Sequence, residues 1–178
     1  MDVDFRKNYF ELLGMPLTFH LDTALLDRHY RELQAQVHPD RFSHSSDAER
    51  RLSMQWSTYV NEAYQTLKHP LSRARYVLQM NGVDTAEESN TAMSTDFLMR
   101  QMEWREGIME ARAAQDAEAL EHQAAKLRSE QREMVDHLTR LLDREKKFSQ
   151  AAEFVRMLKF LEKLGEDINQ ALEALEAQ

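Results

Sequence analysis

The chain has no cysteine among its 178 residues, so disulfides, thiolate zinc sites, a cysteine nucleophile and cysteine-ligated iron-sulfur clusters are excluded. Glycine and proline are scarce as well, four and three, which leaves no Gly-rich phosphate loop and few helix breaks. Positive charge is in deficit: 23 Lys+Arg against 31 Asp+Glu give a formal charge of -8, the wrong sign for a chain whose work is gripping phosphate backbones. No window approaches the roughly 18 apolar residues of a membrane span, and the first residues do not read as a secretory or transit peptide. The expectation is a cytoplasmic protein with neither nucleic acid nor membrane as partner.

What is abundant is Leu, Ala, Glu, Gln, Arg and Met, the residues that lose least on entering a helix. An all-α chain is expected. Asn8 to Leu13 forms a short helix closed by Gly14 and Pro16. A second helix follows the cap Asp22, buries Leu26, Tyr30, Leu33 and Val37, and stops at His38 because Pro39 disfavours the α region before it. Ser43 to Asp47 reads as loop. A third helix then runs to about Lys68 with Leu52, Trp56, Tyr59, Val60, Ala63, Tyr64 and Leu67 inward, and Leu71 to Met80 forms another. The acidic, aperiodic run Asp84 to Asn90 marks the boundary, giving domains at 1–82 and 93–178 joined by a linker at 83–92. Beyond it three helices with short connections read as an antiparallel bundle.

His38-Pro39-Asp40 closes an amphipathic helix ahead of a second that can pack antiparallel to it. Pro39 fixes its own φ and extends His38, so an imidazole and a carboxylate stand at the tip of a helical hairpin. A specified tripeptide recurs by chance in ~2% of chains this long, so its setting carries the argument. That setting is Tyr9-Phe10, Tyr30 and Leu33, Arg41-Phe42 after the tripeptide, Asn61-Glu62-Ala63-Tyr64, Leu67, and His69-Pro70-Leu71 with Arg73, Ala74 and Tyr76. It closely resembles the J-domain, by which DnaJ-type co-chaperones engage DnaK-type chaperones and promote their ATP hydrolysis. The resemblance assigns chaperone contact to His38, Pro39 and Asp40, with Arg28, Arg31 and Arg41 as basic contacts. Gln34, Ala35 and Gln36 are uncharged where many J-domains carry Lys or Arg, so the basic face is thin. From spacing alone, Arg28 and Arg31 also read as a solvated face paired with Asp27 and Glu32.

The second domain lacks the Gly/Phe-rich linker and cysteine module of DnaJ proteins themselves. Its Asp96-Phe97-Leu98-Met99, Gln101-Met102-Glu103, Arg105-Glu106 and later Leu158-Lys159-Phe160-Leu161 make the whole chain similar to the HscB-type iron-sulfur co-chaperones. That resemblance implies a non-enzyme without cofactor or metal, which holds an IscU-type cluster scaffold on its C-terminal domain and brings it to an HscA/DnaK-type chaperone. It assigns scaffold contact to Leu98, Met99, Met102, Glu103, Glu106, Glu110 and Phe160. On a helical wheel Phe97, Trp104 and Ile108 form a core stripe within roughly 20°, while Leu98, Met102 and Met109 cluster at roughly 100 to 140° from it. Phe160 points about 120° off the stripe of the last helix, as an exposed anchor would. A second apolar face reads either as core against another neighbour or as a partner patch with an acidic rim, and Met109 stays open between them. A J-protein presenting unfolded clients is the rival function, and a coiled-coil adaptor the next.

Overall fold

The structure, a computed structural model, describes residues 6–85 and 94–176. Among these every regular element is helical: α1 (Tyr9–Leu12), α2 (Thr23–Val37), a 3₁₀ turn (Pro39–Phe42), α3 (Asp47–Lys68), α4 (Pro70–Met80), α5 (Thr95–Ala113), α6 (Ala117–Thr139), a π turn (Arg140–Glu145) and α7 (Phe148–Glu176). The chain divides into two compact units, Met1–Val77 and Leu78–Gln178. Most of the linker expected at 83–92, and of the run Asp84 to Asn90, lies outside the described residues.

In the first unit the helix starts are written in local hydrogen bonds. Asn8 and Glu11 form a reciprocal capping box on α1, and Ser46 and Glu49 form another on α3. The Asp22 carboxylate accepts the Ala24 and Leu25 amides at 3.0 and 3.1 Å to open α2. Contacts between α2 and α3 run 27 with 68, 30 with 64, 34 with 57 and, through the Val37 carbonyl, 37 with 53, so the two helices are antiparallel. Leu26, Val37, Trp56, Val60, Ala63 and Leu67 are buried along this hairpin. Leu52, expected inward, is 37% exposed, and Ser53 takes the buried position instead. The buried residues of α3 recur at 53, 56, 60, 63 and 67, which leaves Leu52 one residue off the stripe. Arg73 is buried too; its Nη1 donates to the Leu67 carbonyl at 2.7 Å, answering an end-of-helix acceptor, and its guanidinium lies 4.9 Å over Phe19.

In the second unit Ser94 caps α5 and Asp116 caps α6. Phe97, Trp104, Ile108 and Ala111 of α5 are buried, as are Leu120, Ala124, Leu127 and Leu138 of α6, and Leu158, Leu161, Leu164 and Ile168 of α7. The stripe Phe97, Trp104, Ile108 is thus core, as its periodicity indicates. At Gly107 a Cβ would stand 2.5 Å from Gln123 Nε2, so α5 approaches α6 where a side chain is missing. The π turn was not foreseen. Its wider winding buries the successive residues Leu141 and Leu142 together before Lys146, at φ 54, turns the chain into α7.

Candidate functional site

The described residues offer two exposed constellations, one in each unit. The first is the end of α2. Val37 is fully buried, and its carbonyl, one of the acceptors left open where a helix stops, takes a 2.7 Å hydrogen bond from the buried Ser53 hydroxyl. The chain then extends at His38 (φ -60, ψ 131), as the following proline demands, and tightens into the single 3₁₀ turn. Arg41 N–H donates to the His38 carbonyl at 3.1 Å, and the Asp40 amide donates to His38 Nδ1 at 3.3 Å.

His38 is therefore both a residue on display and the cap of its own turn. Its Nδ1 also stands 3.5 Å from the Asp40 carboxylate, with side chains 51% and 90% exposed. One nitrogen cannot serve both groups in one state: unprotonated it accepts the amide, protonated it donates toward the carboxylate. Either arrangement holds the ring over the turn, with Nε2 on the ring edge away from Nδ1.

Arg41 folds back, its Nη1 donating to the Ala35 carbonyl at 3.2 Å, a cation at the negative end of α2. Arg28 and Arg31 are exposed on α2. The Asp27 carboxylate does not pair with them; it accepts Lys68 Nζ at 2.5 and 2.7 Å and the Tyr64 hydroxyl at 3.0 Å, across the hairpin. The Lys68 hydrogen bond holds the Asp27 carboxyl below its ordinary range, and Asp27 in turn raises Lys68. Burial, then the hydrogen bond to Asp27, raises the Tyr64 hydroxyl. Arg31 donates to the Asp27 backbone carbonyl at 3.1 Å, and its charge helps to lower the Asp27 carboxyl from a distance. Gln34 has a structural occupation: its Nε2 donates to Asn61 at 2.9 Å and its Oε1 accepts from Ser57 at 3.3 Å, beside a Tyr30–Tyr64 stack with centroids 4.0 Å apart.

The second constellation is the outer face of α5. Leu98, Met102 and Met109 are 45%, 71% and 70% exposed, and Met99, Glu103, Glu106 and Glu110 are exposed with them. Met109 therefore belongs to the surface. Phe160 differs from the exposed position expected of it: it is half-buried against the bundle core, edge-on to Phe97 with centroids 5.8 Å apart, and the Arg105 guanidinium lies 5.4 Å over its ring. Phe160 lies off the buried stripe of α7 and still meets the neighbouring α5 through Phe97.

Sequence reasoning missed the residues that hold these sites. Ser53 had a signal, a lone hydroxyl in the buried register of α3. Arg41 as a helix cap and Arg105 as a cover for Phe160 had none, because each depends on a contact between elements. Among the described residues no group of three His, Asp or Glu is arranged to hold a metal, and no helix is long and apolar enough to cross a membrane.

A helical hairpin with a His-Pro-Asp turn at its tip defines the class, a J-domain co-chaperone, and residues 8–76 match the DnaJ domain family. Residues 93–169 match the family described as the HSCB C-terminal oligomerisation domain. The chain is 51% identical over 176 residues, 99% of each chain, to the co-chaperone protein HscB homolog of Aromatoleum aromaticum. It resembles the solved chaperone HscB from Vibrio cholerae (36% identity, TM-score 0.83, covering 95% of this chain and 99% of that one). It also resembles human co-chaperone HscB (32%, TM-score 0.87, covering 94% and 83%). The chain belongs to the HscB co-chaperone family, which is not a family of catalytic enzymes.

Proposed function

We propose that this chain binds an IscU-type iron-sulfur scaffold protein on the α5 face, delivers it to an HscA/DnaK-type chaperone, and stimulates that chaperone's ATPase through the His38-Pro39-Asp40 turn, acting in the cytoplasm. The observation that carries this reading is one chain holding a rigid polar display in one unit and an apolar, acid-rimmed helix face in the other. A turn pinned by Ser53, by Arg41 and by its own histidine presents one geometry, so little ordering cost falls on the docking step. Arg28 and Arg31, exposed on α2 while Asp27's carboxylate is hydrogen-bonded to Lys68, supply positive charge for an acidic partner surface and raise the encounter rate more than the affinity. Pro39 sets the angle between them and the imidazole. On the other unit Leu98, Met99 and Met102 give adaptable apolar contacts, Glu103, Glu106 and Glu110 a charged rim, and Phe160 a partly covered edge.

The test measures steady-state ATP turnover of a DnaK-type chaperone with the full chain, with and without an iron-sulfur scaffold protein, and with an unfolded model client in its place. Stimulation by the chain that rises further with the folded scaffold supports delivery. Synergy with the unfolded client alone favours general client presentation, and no stimulation in any arm sinks the reading.

A further inference from the structure

On α5 the charges that directly flank the apolar stripe differ in sign from one side to the other, while Asp96 and Arg100 lie beyond the glutamates. Advancing about 100° per residue from Leu98, Met109 stands about 20° and Met102 about 40° to one side, so the three line one edge over about 16 Å of helix. Glu106, Glu110 and Glu103 follow at about 80 to 140° on that side, whereas Arg105 and Arg112 stand about 20 and 40° on the other. These five flanking residues are all exposed, and among the described residues none of the five is in ion-pair contact. Glu106 and Glu110 form a like-charge i,i+4 pair, which weakens the helix itself. Arg105 rests its guanidinium on the Phe160 ring, an arrangement that leaves the N–H edges of the fork for an acceptor.

We infer that the docking surface on α5 extends through Met109 and is bordered by Arg105 and Arg112 on the side opposite the glutamates. It takes a protein surface whose apolar ridge lies between a basic edge, facing Glu103, Glu106 and Glu110, and an acidic edge, facing the two arginines. The occupant is the iron-sulfur scaffold protein, and the inference rests on that reading of the α5 face. The two charged borders fix the direction in which the partner's ridge lies along the helix, since a reversed ridge sets like charges against each other. Met109 lengthens the apolar contact by two turns beyond Met102.

Isothermal titration of the full chain with an iron-sulfur scaffold protein, at low and at moderate salt, separates the possibilities. Met109→Gln keeps length and helix propensity while removing apolar contact; Arg105→Glu reverses the border, and Arg112→Glu does so without touching Phe160. Each is expected to bind about tenfold more weakly than wild type, the two charge reversals less so as salt rises. Arg128→Glu, an exposed reversal on α6, should bind within about twofold. If Leu98→Ala is weakened while Met109→Gln or both arginine reversals bind as wild type does, the extended surface is wrong and the α5 reading stands. If wild type itself does not bind, both fall. A wild-type dimer in sedimentation that Met109→Gln dissociates, with scaffold affinity unchanged, assigns the stripe to a second copy and overturns the inference.

Discussion

The two exposed sites are built on opposite principles. At the tip of the α2–α3 hairpin the side chains are polar and nearly every one is tied: His38 to the Asp40 amide, Arg41 to Ala35, Ser53 to Val37 beneath them. On α5 the exposed apolar side chains are methionines and a leucine with no directional bonds, standing on a helix whose core face is already filled by Phe97, Trp104 and Ile108. A tied polar turn reads a partner by geometry, and one displaced atom costs the match. An apolar stripe of flexible thioethers reads by area and tolerates repacking. Single substitutions should therefore act all-or-none at the first site and gradually at the second.

The largest expected effect is at His38. His38→Gln removes the ring without disturbing Pro39, so the melting temperature should hold while stimulation of a DnaK-type ATPase disappears and scaffold affinity stays unchanged. Turnover equal to wild type at matched concentrations would erase the contrast. Next comes the stripe: replacing Leu98 and Met102 together by Ala should weaken scaffold binding by at least about 30-fold, as the loss of one hot spot of about 2 kcal/mol does. Stability and scaffold-free stimulation should persist, because no cavity forms. Phe160→Ala should lower the melting temperature as well as affinity, since the ring packs on Phe97 and the bundle core.

A smaller effect tests the support beneath the turn. Ser53→Ala leaves the buried Val37 carbonyl without its donor and should cost about 1 to 3 kcal/mol in denaturant unfolding, with partial rather than complete loss of ATPase stimulation. An unchanged midpoint would mean that the turn holds itself. The smallest effect is a pH dependence. Because the Asp27 carboxyl lies below its ordinary value in the folded chain, its contribution is present above the unfolded carboxylate pKa and is lost as pH falls through the folded one. Lys68, raised by the same contact, contributes fully below the ordinary lysine pKa and loses that contribution as pH rises through its folded value. Asp27→Asn should flatten the acid limb of the stability profile; an acid limb as steep as wild type would show that the pair is not its source.

Much of this fold was legible before any coordinates. Asp22 caps because a short polar side chain before a periodic run has one good use, and α2 stops at Val37 because of Pro39, whereas the capping boxes at Asn8 and Ser46 were not read from the sequence. The core stripe of α5 followed from spacing. The positions that departed, Leu52, Ser53 and Phe160, lie at the edge of an apolar stripe, where a rotation of one residue changes what is buried. The π turn departed for another reason: it buries the successive residues Leu141 and Leu142, which a single regular helical stripe does not do.

By itself the sequence determined the helices, the cap at Asp22, the His38-Pro39-Asp40 stop and the surplus apolar surface on α5, because each follows from local bonds and helical rotations. Only the tertiary structure decided that Asp27 answers Lys68 rather than Arg31, that Ser53 holds the end of α2, and that Arg105 covers Phe160. Those partners are 41, 16 and 55 residues apart, and no local rule ranks the many groups that compete at such separations until packing has brought one of them within hydrogen-bond or ring-contact distance.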